Sequence, residues 1–310
     1  MKLIFAYIMV VFIWSTTPIA IQFSQSGLDY FTSLSVRIWC SAVLSLLVLL
    51  MLRQPLMLSR RALQSYLAGS LGIYAAMMSV YWGAAYLPSG LISVIYALAP
   101  LLSGAAAWWL LGERELTPVR IVALVVALIG LTVVVSSRLT VDEMAWKGVL
   151  GSVVSVFCFA MSAVWVKHAN AGLHPMVQTS GTLLVSSIFY LLTLPFVGVP
   201  EVAEILLSFE ALPIETLVSL SYLIVFGSLI AFMLYFYILT YLPTSRVTLI
   251  TLIAPVLAII WGYVLKDERL QQSTLYGAAI LLAGLAMYQW HKVLAGVLKK
   301  WFIRRHKKVA

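Results

Sequence analysis

AYLPSGLISVIYALAPLLSG, residues 85–104, and TYLPTSRVTLITLIAPVLAI, residues 240–259, decide how this chain is read. In each stretch two prolines stand twelve residues apart, the second in the middle of a long apolar run, and the two stretches are offset by 155 residues. A proline inside a helix lacks the N–H of an i→i−4 bond and crowds the preceding turn. Its central position in two matching segments therefore needs a physical reason.

The solvent comes first. Hydrophobic residues make up 63% of the 310, charged residues only 10%, and the mean hydropathy is +1.03, well outside the range of a water-soluble domain. A helix needs about 20 mostly apolar residues to cross the hydrocarbon core. Ten runs of suitable length emerge, at residues 3–22, 32–52, 63–84, 90–111, 119–136, 147–168, 177–197, 216–239, 246–265 and 274–291. Thr117-Pro118 suits a helix N-cap followed by proline in the first turn. The first run has no small-x-small cleavage pattern before Thr16-Thr17-Pro18 and continues at spanning length, so it reads as a retained helix. Cys40 and Cys158 both fall inside spans, where they read as packing residues and not as a disulfide or metal pair.

Charge supplies an orientation. With ten spans both termini share one side, which then carries fifteen basic residues against four on the other, so both termini are expected in the cytoplasm. The tail KKWFIRRHKK, residues 299–308, lies beside a membrane helix and reads as a partner for anionic lipid headgroups, not nucleic acid. The net charge of +9 needs no other explanation.

Laid together without a gap, residues 85–114 and 240–269 agree at ten of thirty positions: Tyr86, Leu87, Pro88, Ile95, Ala99, Pro100, Leu102, Leu110, Glu113 and Arg114. The match runs back to Gly72 and Gly227, and SGLDY at 26–30 is echoed by AGLHP at 171–175. The chain thus divides into a first five-helix repeat, 1–138, a second, 139–292, and a basic tail, 293–310. Five is odd, so the second copy enters the membrane from the opposite side, giving an inverted repeat about a central cavity. A site on the relating axis then meets equivalent surroundings from both sides, which suits alternating access.

Ten spans, a Tyr-Leu-Pro loop before a helix with a central Ala-Pro, and a Gly-Glu-Arg or Asp-Glu-Arg exit resemble the EamA-type permeases of the drug/metabolite transporter superfamily. The resemblance covers the chain from Trp14-Ser15 to the tenth span. It implies an all-α permease of the cell (inner) membrane with a central solute cavity, commonly exporting amino acids or other small metabolites.

The residues place candidates in that cavity. Pro100 and Pro255 would free the carbonyls of Tyr96 and Thr251, which in lipid must be covered or line a wet cavity, and would act as hinges. Ser93 and Tyr96 share the stripe of Pro100, as Thr248 and Thr251 share that of Pro255. Tyr74, Met78, Tyr81 and Trp82 fall on one face of the third span, Tyr222 and Phe226 near one face of the eighth, and Trp14 and Trp165 lie mid-span in the first and sixth. All are candidate solute contacts or packing residues. Arg37 is the one formal charge inside a span, a gating or structural charge by expectation, shallow enough at about 8 Å from the interface to snorkel outward. Glu113 and Glu268 are expected to bond neighbouring helix starts.

No Asp or Glu lies inside a span, and His168, His174, His291 and His306 are all peripheral, so no proton relay is evident. There is no Gly-Lys-Ser/Thr phosphate loop, Gly-x-Ser-x-Gly or His-Glu-x-x-His, which argues against an ATP-driven pump or an enzyme and leaves no cofactor expected. A cavity of hydroxyls, carbonyls and aromatics without strong charge suits neutral or zwitterionic solutes, hydrophobic or aromatic amino acids foremost. A proton-coupled multidrug or metabolite exporter and a channel-like facilitator are the alternatives. Small residues in the fifth, sixth and tenth spans allow close helix contact, within one chain or between chains.

Overall fold

The computed structural model describes residues 2–111, 118–139, 142–197, 211–242, 247 and 250–290. Among these residues each expected run is occupied by helix. The elements are α1 (Lys2–Ser24), α2 (Tyr30–Met51), α3 (Arg60–Ser70 continued by Ala76–Gly83), α4 (Ser89–Tyr96 and Ala99–Leu111), α5 (Pro118–Leu139), α6 (Ala145–Ala169), α7 (Pro175–Val197), α8 (Ile214–Tyr222 continued by Ala231–Tyr241), α9 (Ile250–Lys266) and α10 (Gln272–Gln289). Six of these rods are long and apolar enough to cross a membrane: α1, α2, α4, α6, α7 and α8. The remaining apolar stretches in α5, α9 and α10 are shorter among the described residues.

Local chemistry sets several boundaries. The Asp29 carboxylate accepts from the N–H groups of Phe31 and Thr32 at 2.9 and 3.0 Å and so opens α2. Ser59 caps α3 through Ala62 N–H at 3.2 Å. α5 opens at Pro118, as the Thr-Pro pair predicts. α6 stops where Asn170 turns left-handed at φ 42°.

Burial is arranged for lipid. Leu50, Trp109, Phe196 and Val264 point outward, whereas Ser33, Ser41, Ser45, Ser155, Ser180 and Thr182 are buried between helices. Lipid tails are as apolar as leucine, so close packing and internal hydrogen bonds hold such a bundle together. Cys40 belongs to the outward-facing set, against the packing role expected for it; Cys158 is half-buried, and both thiols are free.

The packing partners have a regular scheme. α3 and α4 lie against α6, while α8 and α9 lie against α1; α3 meets α7, while α8 meets α2. α2 packs on α7, α4 on α9, and α5 on α10. Exchanging α1–α5 for α6–α10 leaves this set of pairs unchanged. At one end of the bundle the end of α1 meets the end of α3 and the start of α8, through Gln22 on the Ala84 and Leu87 carbonyls and Thr216 on the Phe23 carbonyl. At the other, Lys167 at the end of α6 donates to the Leu242 carbonyl beyond α8, at 2.9 Å. These are called below the Gln22 end and the Lys167 end.

Candidate functional site

Two devices interrupt the helices that surround the centre. The first is a wide π-turn, at Leu71–Ala75 in α3 and at Leu223–Ile230 in α8. The glycines matched in sequence, Gly72 and Gly227, fall in these turns. Such turns present carbonyls sideways and recur at functional sites. Tyr190 donates to the Ile73 and Tyr74 carbonyls, each at 3.0 Å. In α8 the corresponding donors are Arg37, to Gly227 O at 3.1 Å, and Ser41, to Ile224 O at 3.1 Å.

The second device is proline, and here the repeats differ. At Pro100 the helix breaks: Ala97 and Leu98 lie outside both segments of α4, and the Leu101 N–H turns to the Leu98 carbonyl at 3.0 Å. Pro255 instead sits inside the continuous α9.

Between these interruptions lies a cavity bounded by Trp14, Thr17, Pro18 and Ile21 of α1, Arg37 of α2, Met77 and Val80 of α3, Ile92, Ser93 and Tyr96 of α4, and by Phe159, Gly227, Phe232, Ala254 and Pro255. About 660 Å³ there is free of protein atoms, but the centre of a water-sized sphere reaches only about 70 Å³ of it. That is less than half of the ~150 Å³ that holds benzene in an apolar protein cavity, so a larger solute requires the helices to part. A second, smaller space lies toward the Lys167 end, bounded by Trp14, Ala99, Ser103, Phe159, Ala160, Ala163, Tyr235 and Val247.

Trp14 and Phe159 belong to both walls and separate the two spaces. Their rings meet edge-on at 5.4 Å, and Tyr235 closes the cluster at 5.2 Å from Trp14 and 5.4 Å from Phe159. Residues 14 and 159 are offset by 145, as are the SGLDY and AGLHP echoes. The walls obey the repeat as well: Pro18, Val80, Ile92 and Ala254 of the larger space match Ala163, Tyr235, Val247 and Ala99 of the smaller.

Of the candidates named from sequence, Trp14, Arg37, Ser93, Tyr96 and Pro255 line the larger cavity. The Tyr96 hydroxyl hydrogen-bonds with Ser155, which donates to the Ala76 carbonyl. Pro100 is buried at the break without lining either space. Tyr74 turns to α7, bonded to Thr193 at 2.6 Å, and Tyr81 lies under Arg37, accepting from Nη1 at 3.1 Å. Met78 packs at the edge of the core, and Trp82 stands against Tyr86 at 6.0 Å. Tyr222 bonds Thr16 at 2.6 Å with Phe226 stacked on it at 5.5 Å. Trp165 is 41% exposed on the outside of the bundle; Phe159, not Trp165, is what α6 presents to Trp14. Thr248, Glu113, Arg114, Arg246 and the tail from residue 291 lie outside the described residues, as does the side chain of Thr251.

Arg37 does not snorkel. It is fully buried, with Nε bonded to Ser228 Oγ at 2.9 Å and Nη2 to Gly227 O at 3.1 Å, because the π-turn of α8 brings these oxygens within hydrogen-bond reach. The cavity therefore carries a positive charge, contrary to the uncharged site expected. Phe159, Met77 and Phe232 were missed. The repeat offset would have found Phe159 from Trp14, since 14 plus 145 is 159; Met77 and Phe232 are a repeat-related pair, 155 apart, with neither member singled out in the sequence.

The Gln22 end is closed by polar contacts. Gln22 Oε1 accepts from Lys266 Nζ at 2.8 Å, and Gln25 donates to the Tyr81 carbonyl at 3.0 Å. Glu268, past the end of α9, receives the Ser89 N–H and hydroxyl at 3.0 Å each and the Gly90 N–H at 3.5 Å. A carboxylate thus sits on the start of α4, as expected for Glu268, where the helix dipole favours it. Gly262 makes the approach possible, since a Cβ there would collide with the Glu268 carboxylate. Glu268→Gln keeps the shape and removes the charge, a loss of about 1.5 kcal/mol or roughly tenfold in the equilibrium for opening this end. With Cys40 and Cys158 replaced by serine, the thiol introduced by Ser93→Cys should react about tenfold faster with a polar maleimide when Glu268→Gln is added. An unchanged rate would show that Glu268 does not hold this end shut.

The helical bundle agrees with comparisons to known proteins. A solved crystal structure with a TM-score of 0.64 at 17% identity, covering 92% of this chain and 96% of that one, has the same fold. The transporter YoaV of Bacillus subtilis is 22% identical over 293 residues, 92% of this chain and 96% of its own length. A probable terminal-alkyne amino-acid exporter of Streptantibioticus cattleyicolor is 25% identical over 71% of each chain. A probable amino-acid metabolite efflux pump of Salmonella typhimurium is 23% identical over 64% of this chain and 67% of its own. The EamA-like transporter family matches the chain twice, over residues 1–136 and 146–289, each match holding one π-turn and one Ala-Pro helix. With both copies accounted for, the chain belongs to the EamA-like transporter family, a multi-pass membrane protein of the drug/metabolite transporter type.

Proposed function

We propose that this chain is a ten-span permease whose two five-helix repeats are inverted in the membrane. It exports small neutral or zwitterionic metabolites, hydrophobic or aromatic amino acids foremost, by alternating access. The observation that carries this reading is the pair of repeat-related spaces on either side of Trp14 and Phe159. One is larger and the other nearly filled, as expected if the two halves adopt unequal forms of one structure and exchange them. Contacts at the helix ends support the inversion: α3 finishes at the Gln22 end and its counterpart α8 at the Lys167 end. The names of the two amino-acid exporters among the relatives support the solute class.

The aromatic septum favours a carrier over a channel, since it divides the path that a channel would keep continuous. The break at Pro100 and the proline of α9 serve as the flexible points, and Ser93 and Tyr96 as hydrogen-bonding groups for the solute. The basic tail rests on anionic lipid, with both termini in the cytoplasm.

Counterflow tests the reading. Liposomes containing the protein and loaded with unlabelled leucine or phenylalanine should accumulate the labelled amino acid transiently above equilibrium. Uptake indifferent to internal solute would indicate a channel, and no uptake across a broad panel of amino acids would remove the solute class.

A further inference from the structure

Arg37 is fully buried yet lines the central cavity. Its guanidinium has five N–H donors. Three are engaged: Nε with Ser228 Oγ at 2.9 Å, Nη1 with Tyr81 OH at 3.1 Å and Nη2 with Gly227 O at 3.1 Å. Each terminal nitrogen carries a second hydrogen for which there is no acceptor among the described residues. All three partners are neutral oxygens. Among the described residues the ion pair formed is Asp267 with Arg269, exposed and on another part of the chain.

A buried cation without a counter-ion is unfavourable in a low-dielectric interior, and hydrogen bonds to neutral oxygens offset that only in part. The missing negative charge can arrive with a solute, because the guanidinium borders the space the solute would enter. Its position is fixed for that purpose. Ser228 and Tyr81 hold the plane from two sides, and Gly227 lets α8 come close, since a Cβ there would stand 3.2 Å from Nη2. A held guanidinium with spare N–H groups on both terminal nitrogens matches the two oxygens of a carboxylate. The wall beyond it is apolar, with Trp14, Ile92, Phe159 and Phe232 suited to a hydrocarbon tail. The lining contains no Asp or Glu to hold an ammonium group.

We infer that Arg37 is the carboxylate subsite of the cavity, and that its solutes are monocarboxylates with a compact apolar tail, for which an α-ammonium group is dispensable. This goes beyond the solute class proposed above by admitting anionic monocarboxylates beside zwitterions, and it rests on the carrier reading for the statement that the bound molecule is transported. Binding is read separately.

The probes are isocaproate, which is leucine without its ammonium group, and isocaproamide, the same skeleton without charge. Thermal stabilisation of the purified full-length protein in detergent should require at least about tenfold less isocaproate than isocaproamide. Arg37→Gln should bring the acid to the level of the amide, and Arg37→Lys, which keeps the charge but not the fork, should fall between. If Arg37→Gln does not fold, the comparison of acid and amide on the unaltered protein decides alone. Equal potency of acid and amide, or stabilisation by neither, overturns the assignment. Arg37-dependent binding of isocaproate without counterflow of any solute would remove the carrier reading and leave the subsite standing. Counterflow of leucine with equal binding of acid and amide would do the reverse.

Discussion

Gly130→Val should abolish most of the folded protein, because α5 and α10 touch backbone to backbone. A Cβ on Gly130 would lie 2.7 Å from Leu281 Cα and 2.8 Å from the Gly277 carbonyl. One on Gly277 would lie 2.8 Å from Val134 N, and one on Gly284 2.6 Å from Ala127 N. Main-chain atoms cannot rotate aside as a side-chain tip can, so the helices must separate along the whole seam. Lipid supplies no hydrophobic force to draw them back, and the lost contacts are the van der Waals packing that held them. The expected loss is about 3 kcal/mol, the upper end for overpacking. It is measured as a fall in the thermal unfolding midpoint and in the monodisperse yield from detergent. A midpoint equal to that of the unaltered protein would contradict the seam.

Removing the septum should have the largest effect on transport. Three ring contacts, Trp14 with Phe159, Trp14 with Tyr235 and Phe159 with Tyr235, hold the two spaces apart. At about 1 kcal/mol each they contribute about 3 kcal/mol, and removing Trp14 and Phe159 together lowers the barrier to passage by roughly that amount, about a hundredfold in rate. Trp14→Ala with Phe159→Ala is therefore expected to convert coupled exchange into leak. Preloaded liposomes would empty about a hundredfold faster into solute-free buffer, and the stimulation by solute on the far side would disappear. Each single variant should leak less than the pair, since either ring alone still meets Tyr235. If leak stays at the level of protein-free liposomes in the double variant, the septum does not separate the path.

Much of this was legible in the chain. The apolar runs located the ten helices of the described residues, because in lipid a backbone must satisfy its hydrogen bonds within each segment and composition leaves little choice. The two YLP stretches exposed the duplication, and Pro100, Ser93 and Tyr96 marked the helix that breaks beside the cavity. Facing was harder to read. A bundle in lipid buries serine and shows leucine, so the usual contrast between core and surface is weak, and an aromatic face such as Tyr74, Met78, Tyr81 and Trp82 carries no sign of which neighbour it meets. The repeat offset applied to single residues would have chosen Phe159 over Trp165; mid-span position chose wrongly, since Trp165 is exposed.

The sequence by itself determined the helical class, the duplication and the break at Pro100, because these follow from hydrophobicity, periodicity and the missing proline N–H, which are local properties; the continuity of α9 through Pro255 and the π-turns of α3 and α8 were decided by the tertiary structure. The small residues of α5 and α10 showed that helices would approach closely; only the assembled bundle decided that they approach each other within one chain. The same holds for Arg37. Its depth of about five residues from the start of the span allowed an exit to the membrane surface, but the π-turn of α8, brought across from 190 residues away, supplied the oxygens that keep it inside. Contacts between residues so far apart in the chain depend on which helices pack together, and that choice rests on shape and paired polar groups across the whole bundle.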